Sequence, residues 1–80
     1  MDKLIVAKRL RNLREQKNVS REQAAKDLDI TFKAITDYET ETVDRIPRDY
    51  IKNKLAEYYD TTLDSIFFTY NDTQSYKDDK

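Results

Sequence analysis

The sequence predicts an all-α domain of five short helices. Apolar residues recur every three or four positions, and no segment alternates apolar and polar residues as a half-buried strand does. The chain has 80 residues, enough for one small domain. We assign residues 1–68 to this domain and expect the polar residues 69–80 to form a disordered tail.

Composition excludes several kinds of chemistry. The chain contains no Cys, no His and no Gly. Disulfides, Cys/His zinc sites, histidine acid–base catalysis and glycine-rich phosphate loops are therefore ruled out. The pairs Asp60/Asp64 and Asp78/Asp79 have no base or nucleophile beside them, so we do not expect an enzyme. We expect no cofactor, no metal and no small-molecule ligand.

The charge is unevenly distributed along the chain. Residues 1–36 hold nine Lys/Arg and five Asp/Glu, whereas residues 37–80 hold six and eleven, within a net charge of −1. Such asymmetry is compatible with a basic face on a mildly acidic protein, and equally with ordinary solvated helix surfaces. No apolar run is long enough to cross a membrane, and the N-terminus lacks the features of a secretory signal. We expect a cytoplasmic protein without a membrane partner.

Cap residues divide the first half of the chain into three helices. Asp2 is the predicted N-cap of a helix that runs to about residue 16, and Asn18 is suited to end it in the left-handed conformation. Ser20 and Gln23 form the pattern of a capping box, and Thr31 is the predicted cap of the third helix. Ile30 and Ile35 have the spacing of a hydrophobic staple around this third cap. The predicted inward positions are Val6, Leu10, Leu13, Ala24, Ala25, Leu28, Ile35 and Tyr38.

Two further helices are predicted in the second half. Pro47 suits the first turn of a fourth helix, where its missing N–H costs nothing. Asp60 and Thr61 break that helix, and Thr62 can cap a short fifth helix, "LDSIFF". The inner stripe of the fourth helix is predicted to be Ile51, Leu55 and Tyr58. Only two or three residues separate the second and third helices, so the pair must cross steeply and the third helix can enter a DNA major groove.

The segment "LRNLREQKNVSREQAAKDLDITFKAITDYET" resembles the DNA-binding domain of the phage repressor/Cro family of helix-turn-helix proteins, the XRE family. The segment "IPRDYIKNKLAEYYDTTLDSIFF" is similar to that family's fourth and fifth helices. The resemblance covers about residues 4–68. It implies a lambda-repressor-like fold, with the helix-turn-helix at helices 2 and 3, that binds double-stranded DNA.

The same resemblance assigns roles to individual residues. It implies a structural salt bridge between Arg14 and Glu39. Positions matching base contacts are Thr31, Phe32, Lys33, Thr36 and Asp37. Positions matching phosphate contacts are Arg21, Thr40, Arg45 and Arg48.

Several of these positions allow more than one interpretation. Lys33 can contact guanine or be a solvated lysine, and Thr36 can contact a base, a phosphate or only water. Phe32 can contact a thymine methyl or fold back onto the crossing of helices 2 and 3. Asp37 can accept a hydrogen bond from cytosine or neutralise Lys33, four residues away.

The resemblance favours a homodimer, because proteins of this type read two half-sites about one helical turn apart. Candidate interface residues are Phe67, Phe68 and Tyr70, although all of them could pack internally. The expected function is a sequence-specific transcriptional regulator, a repressor or Cro-like protein, encoded by a bacterium or phage and associated with the nucleoid. The alternative is a protein-interaction module on the same fold, an antitoxin or antirepressor that acts through its acidic C-terminal half.

Overall fold

The computed structural model describes residues 2–68, which fold into five helices with no strand among them. The predicted all-α fold is therefore confirmed for these residues, whereas the predicted tail at residues 69–80 lies outside them. None of the described helices is long and apolar enough to cross a lipid bilayer. The helices are α1 (Lys3–Lys17), α2 (Arg21–Leu28), α3 (Phe32–Tyr38), α4 (Asp49–Tyr58) and α5 (Asp64–Phe68), a single π-helical turn.

Short polar side chains begin the first three helices, as predicted. The Asp2 carboxylate accepts from the backbone N–H of Leu4 at 3.0 Å. The Thr31 hydroxyl accepts from the N–H of Ala34 at 3.0 Å. These bonds satisfy N–H groups that have no partner within the helix.

The capping box at α2 is only half formed. The Ser20 hydroxyl accepts from the N–H of Gln23 at 3.0 Å, as predicted. The reciprocal bond, in which the Gln23 side-chain oxygen would accept from the Ser20 N–H, is not formed; the Gln23 side chain turns toward Asp27 instead, and its NH2 group donates to that carboxylate at 2.8 Å. Gln23 and Asp27 are one helical turn apart, so this bond runs along the surface of the helix.

Helices end in left-handed residues without the help of glycine. Asn18, Asp29 and Asp60 have φ values of 64°, 57° and 54°. Asn and Asp tolerate this conformation better than most residues that carry a Cβ atom. Asn18 therefore ends α1 as predicted, and Asp29 ends α2 at the turn into α3.

One prediction for α4 is wrong, and another is only partly confirmed. Pro47 lies before the helix, because α4 begins at Asp49 and Arg48 takes the N-cap position. Tyr58 packs against the core only in part and is half-buried, whereas Tyr59 is the fully buried tyrosine. Tyr59 continues the four-residue spacing from Leu55, whereas the Tyr58 hydroxyl donates to Asp27 at the surface, at 2.6 Å.

The core lies between all five helices. It contains the predicted inward residues of α1, α2 and α3, with Leu13 packed at its edge. Phe67 is only 1% exposed, so its assignment to a dimer interface is wrong: α5 turns Ile66 and Phe67 inward. The largest fully buried side chains are Phe67, Leu10, Ile35, Leu55, Ile66 and Val6.

Candidate nucleic-acid interface

The turn between α2 and α3 holds the two helices together at close range. The Ile30 N–H donates to the carbonyl of Ala25 at 3.0 Å, which closes the end of α2. Ala24, Ala25 and Ala34 are buried where the helices pack. Their small side chains let the two backbones approach, so the position of α3 is fixed mainly by α2.

Three consecutive residues at the start of α3 are exposed. They are Thr31, Phe32 and Lys33, with 47% of Phe32 and 81% of the Lys33 side chain accessible. Phe32 does not belong to the core cluster, so the structure does not support the alternative in which it folds back onto the helix crossing. In helix-turn-helix proteins the N-terminal residues of the second helix are those that reach base edges.

Two hydroxyl groups, that of Thr36 within α3 and that of Thr40 just after it, face the protein. The Thr36 hydroxyl is buried and lacks a hydrogen-bond partner within residues 2–68, so its predicted outward orientation is wrong. The Thr40 hydroxyl donates to the Thr36 carbonyl at 2.6 Å. Neither hydroxyl can donate a hydrogen bond to a phosphate in this conformation, because one is enclosed and the other uses its hydrogen within the turn.

Asp37 is also wrongly placed by the sequence. It was expected to face outward, but its side chain is only 13% exposed. One carboxylate oxygen, Oδ2, lies 3.1 Å from the Arg45 guanidinium and 3.3 Å from the Lys33 ammonium. The hydrogen bond from Arg45 is the largest cause that lowers the pKa of Asp37, and Lys33 acts in the same direction while burial opposes both. Asp37 therefore does neutralise Lys33, and Arg45 as well.

Arg45 belongs to the loop between α3 and α4 but is held on the surface of α3. Besides its ion pair with Asp37, its guanidinium lies over the Tyr38 ring, 5.5 Å from the ring centroid. The side chain remains 45% exposed. We call Lys33, Asp37 and Arg45 the outer ion-pair cluster.

A second cluster lies behind α3 and connects it to α1. The Arg14 Nε atom donates to both oxygens of Glu39, at 2.9 and 3.1 Å, so the structure contains the pair implied by the resemblance. Arg11 forms a two-point ion pair with Glu41, at 2.9 and 3.2 Å, and also donates to the Glu39 carbonyl at 2.9 Å. We call Arg11, Arg14, Glu39 and Glu41 the inner ion-pair cluster.

Lys3 adds a further cation at the end of α3. Its ammonium donates to the carbonyls of Asp37 and Thr40 at 2.8 and 2.6 Å. Lysine at this place adds a charged donor to carbonyls at the C-terminal end of α3 and complements the negative end of the helix dipole.

Sequence reasoning missed the roles of Lys3 and Arg11. The spacing of Lys3, Ala7, Leu10 and Arg14 could have revealed the first, because steps of four, three and four place Lys3 on the inward stripe of α1. The basic surplus in the first half of the chain is therefore partly structural. Lys3, Arg11 and Arg14 hold α3 and the turn that follows it.

The remaining predicted phosphate contacts are exposed. Arg21 is the first residue of α2, and Arg48 immediately precedes α4. Burial raises the pKa of Tyr38, and the charges of Arg45 and Arg48 oppose that rise. Arg21 lies at the N-terminus of α2, where the helix dipole and the backbone N–H groups favour an anion.

A tightly packed helix pair, whose second helix exposes its first residues beside exposed arginines, defines a helix-turn-helix DNA-binding domain. The Helix-turn-helix family model matches residues 10–66, most of the chain. The chain therefore belongs to the helix-turn-helix family, of the XRE type, and is a DNA-binding transcription regulator whose partner is double-stranded DNA. Comparisons with curated proteins and with solved structures give no match.

Proposed function

We propose that this regulator is a repressor or Cro-like protein that reads an operator half-site with the first residues of α3 in the major groove. The observation that carries the proposal is the exposure of Thr31, Phe32 and Lys33 while the rest of α3 is held by the protein. An α-helix fits the major groove, where each base pair presents a distinct pattern of donors, acceptors and methyl groups.

The side chains at this end support particular base contacts. The Lys33 ammonium suits the acceptors O6 and N7 of guanine. The exposed Phe32 ring suits the methyl group of thymine, and it cannot form the paired hydrogen bonds that an amide side chain makes with adenine. The half-site is thus expected to contain adjacent guanine and thymine positions.

Exposed arginines supply the sequence-independent attraction. Arg21, Arg45 and Arg48 are placed to meet phosphates, which fix the position of the protein on the duplex. With about three phosphates per subunit, a dimer would neutralise about six, and its logarithmic affinity would fall with a slope of about −5 against the logarithm of salt concentration. This local charge, rather than the net charge of −1, governs binding, because salt screens charges beyond about 8–10 Å.

Homodimerisation is part of the proposal. Two half-sites double the number of phosphate and base contacts, and a two-fold symmetric protein matches a palindromic operator. Among the described candidates Phe68 is 45% exposed and can contribute to the contact. Tyr70 lies outside the described residues. We propose that the protein is bound to DNA inside a bacterial cell, encoded either by the bacterium or by a phage.

Selection of bound sequences from random DNA, followed by anisotropy titration, tests the proposal. The wild-type protein is expected to select a palindromic consensus, and Lys33→Ala to weaken binding to it about tenfold or more. Lys17→Ala is the matched control, because Lys17 lies over the Tyr58 ring in the last turn of α1 and should leave binding unchanged. Absence of saturable binding to any DNA at low salt would contradict the proposal and favour a protein-interaction module.

A further inference from the structure

Asp37 occupies a helix face that the sequence assigns to base reading, yet it is enclosed by two cations. We propose that Asp37 is a positioning residue for DNA recognition: it fixes Arg45 and Lys33 on the exposed surface of α3 and reduces the attraction of that surface for DNA of any sequence. The inference rests on the proposed function and concerns how the same surface discriminates between DNA sequences.

The first argument is the anchoring of Arg45. A loop arginine in solution has many conformations, and contact with a phosphate or base must order it. Here the Asp37 carboxylate at 3.1 Å and the Tyr38 ring at 5.5 Å already hold the guanidinium against α3. Asp37 is in turn fixed from behind, because Lys3 donates to its carbonyl at 2.8 Å. The Arg45 guanidinium is thus held in position before DNA binds. This favours complexes in which a phosphate or base lies at that position.

The second argument is charge. Lys33 and Arg45 alone would present two positive charges, but the carboxylate between them leaves a net single charge. Sequence-independent affinity depends on the number of phosphates that the protein neutralises. An acid at this position therefore weakens binding to random DNA more than it weakens binding to the operator. In the operator complex, hydrogen bonds to the bases add to the attraction between charges.

The third argument separates this role from base reading and from support of the fold. Both cations converge on the same oxygen of a side chain that is 13% exposed, so little of Asp37 can meet a base edge. Lys33 and Arg45 are themselves well exposed. Loss of the carboxylate would leave two hydrated cations rather than a buried charge, so the folded state should survive the substitution.

Asp37→Asn, which keeps the shape of the side chain, tests the inference. The operator is the sequence selected by the wild-type protein, and the competitor is a random duplex of equal length, both titrated at several salt concentrations. We expect the logarithmic salt slope on random DNA to become steeper by about 0.9 per subunit, since one more phosphate can be neutralised. We also expect the ratio of operator to random-DNA affinity to fall about tenfold. The variant loses both the contact that fixes Arg45 and the negative charge that weakens binding to random DNA.

Two further variants isolate the cause. Glu57→Gln removes the same charge from an exposed site in the last turn of α4, about 13 Å along the helix from Arg48, and should change neither quantity. In an Arg45→Gln background, Asp37→Asn should have a smaller effect on the affinity ratio, because one of the two cations that Asp37 holds is already absent.

Each other outcome overturns the inference. A changed preference at one base pair with an unchanged salt slope would make Asp37 a base-reading residue. An unchanged affinity ratio, together with a lower free energy of unfolding, would make it only a structural one. If wild-type protein bound no DNA with saturation, the proposed function would fail and this inference with it, whereas normal wild-type binding with an unaffected ratio would overturn this inference alone.

Discussion

The Arg14–Glu39 pair of the inner cluster and the outer cluster use the same chemistry around acids two residues apart, but their cations differ in burial. Glu39 and Arg14 are 3% and 12% exposed in their side chains, whereas Lys33 and Arg45 are 81% and 45% exposed. A buried pair cannot lose one partner without leaving an unsolvated charge, but an exposed pair can exchange its partner for water or phosphate. Burial, rather than the presence of an ion pair, therefore distinguishes the face that holds α3 from the face that can meet DNA.

The largest expected effect is the loss of stability caused by breaking the inner cluster. Glu39→Ala leaves the Arg14 guanidinium in a mostly buried site and removes both of its bonds to the carboxylate. We expect a loss of about 3–5 kcal/mol in the free energy of unfolding, which is a large part of the stability of a small domain. Urea unfolding followed by circular dichroism measures it.

Two control variants test whether the effect of Glu39→Ala comes from the buried ion pair. Glu57→Ala, at an exposed position of α4, should change the free energy of unfolding by less than about 0.5 kcal/mol. Replacing both partners with apolar residues, Arg14→Met with Glu39→Leu, should recover much of the loss. A Glu39→Ala protein as stable as the wild type would show that burial does not separate the two clusters as we describe.

The second effect is the acid sensitivity of the Arg11–Glu41 pair. The two hydrogen bonds from Arg11 are the largest cause that lowers the pKa of Glu41 from 4.5 to about 2. Because the folded pKa lies below the unfolded value, the pair stabilises the fold above about pH 4.5 and this contribution disappears as the pH falls toward 2. Glu41→Gln should therefore lose stability at pH 7 and show a smaller further decline between pH 5 and pH 2.

Thermal unfolding of the wild type and of Glu41→Gln at a series of pH values measures this difference in acid sensitivity. Glu22→Gln is a suitable control, since Glu22 is exposed in the first turn of α2 and takes no part in either cluster. Parallel pH profiles for wild type and Glu41→Gln would mean that the pair contributes nothing in solution.

The smallest expected effect is that of Lys33→Ala on stability. Its ammonium is exposed and its ion pair with Asp37, at 3.3 Å, joins residues four apart on one helix. Such pairs contribute about 0.3–0.5 kcal/mol, so the free energy of unfolding should change by no more than that. Together with the expected loss of operator binding, this would separate function from stability at the outer cluster. A destabilisation comparable to that of Glu39→Ala would remove the distinction between the clusters.

Much of the helical framework could be predicted because its causes are local. The cap bonds of Ser20 and Thr31 join residues three apart, and the left-handed conformation of Asn18 depends on its own side chain and backbone. The exposed start of α3 follows from the same local signals, since the position of the cap sets which residues come first. The family resemblance added the Arg14–Glu39 pair, which spacing alone does not reveal.

Tertiary structure decided the features that depend on distant partners. The Asp37 carboxylate is held by an arginine eight residues later, and a lysine 34 residues earlier holds the backbone carbonyl of the same residue. Phe67 belongs to the core and Phe68 to the surface because a single π-helical turn rotates one inward and leaves the other out. Thus the sequence by itself determined where helices begin and which family they form, because those signals span a few residues. Packing alone decided which charges of α3 remain available to DNA, because burial is set by elements far apart in the chain.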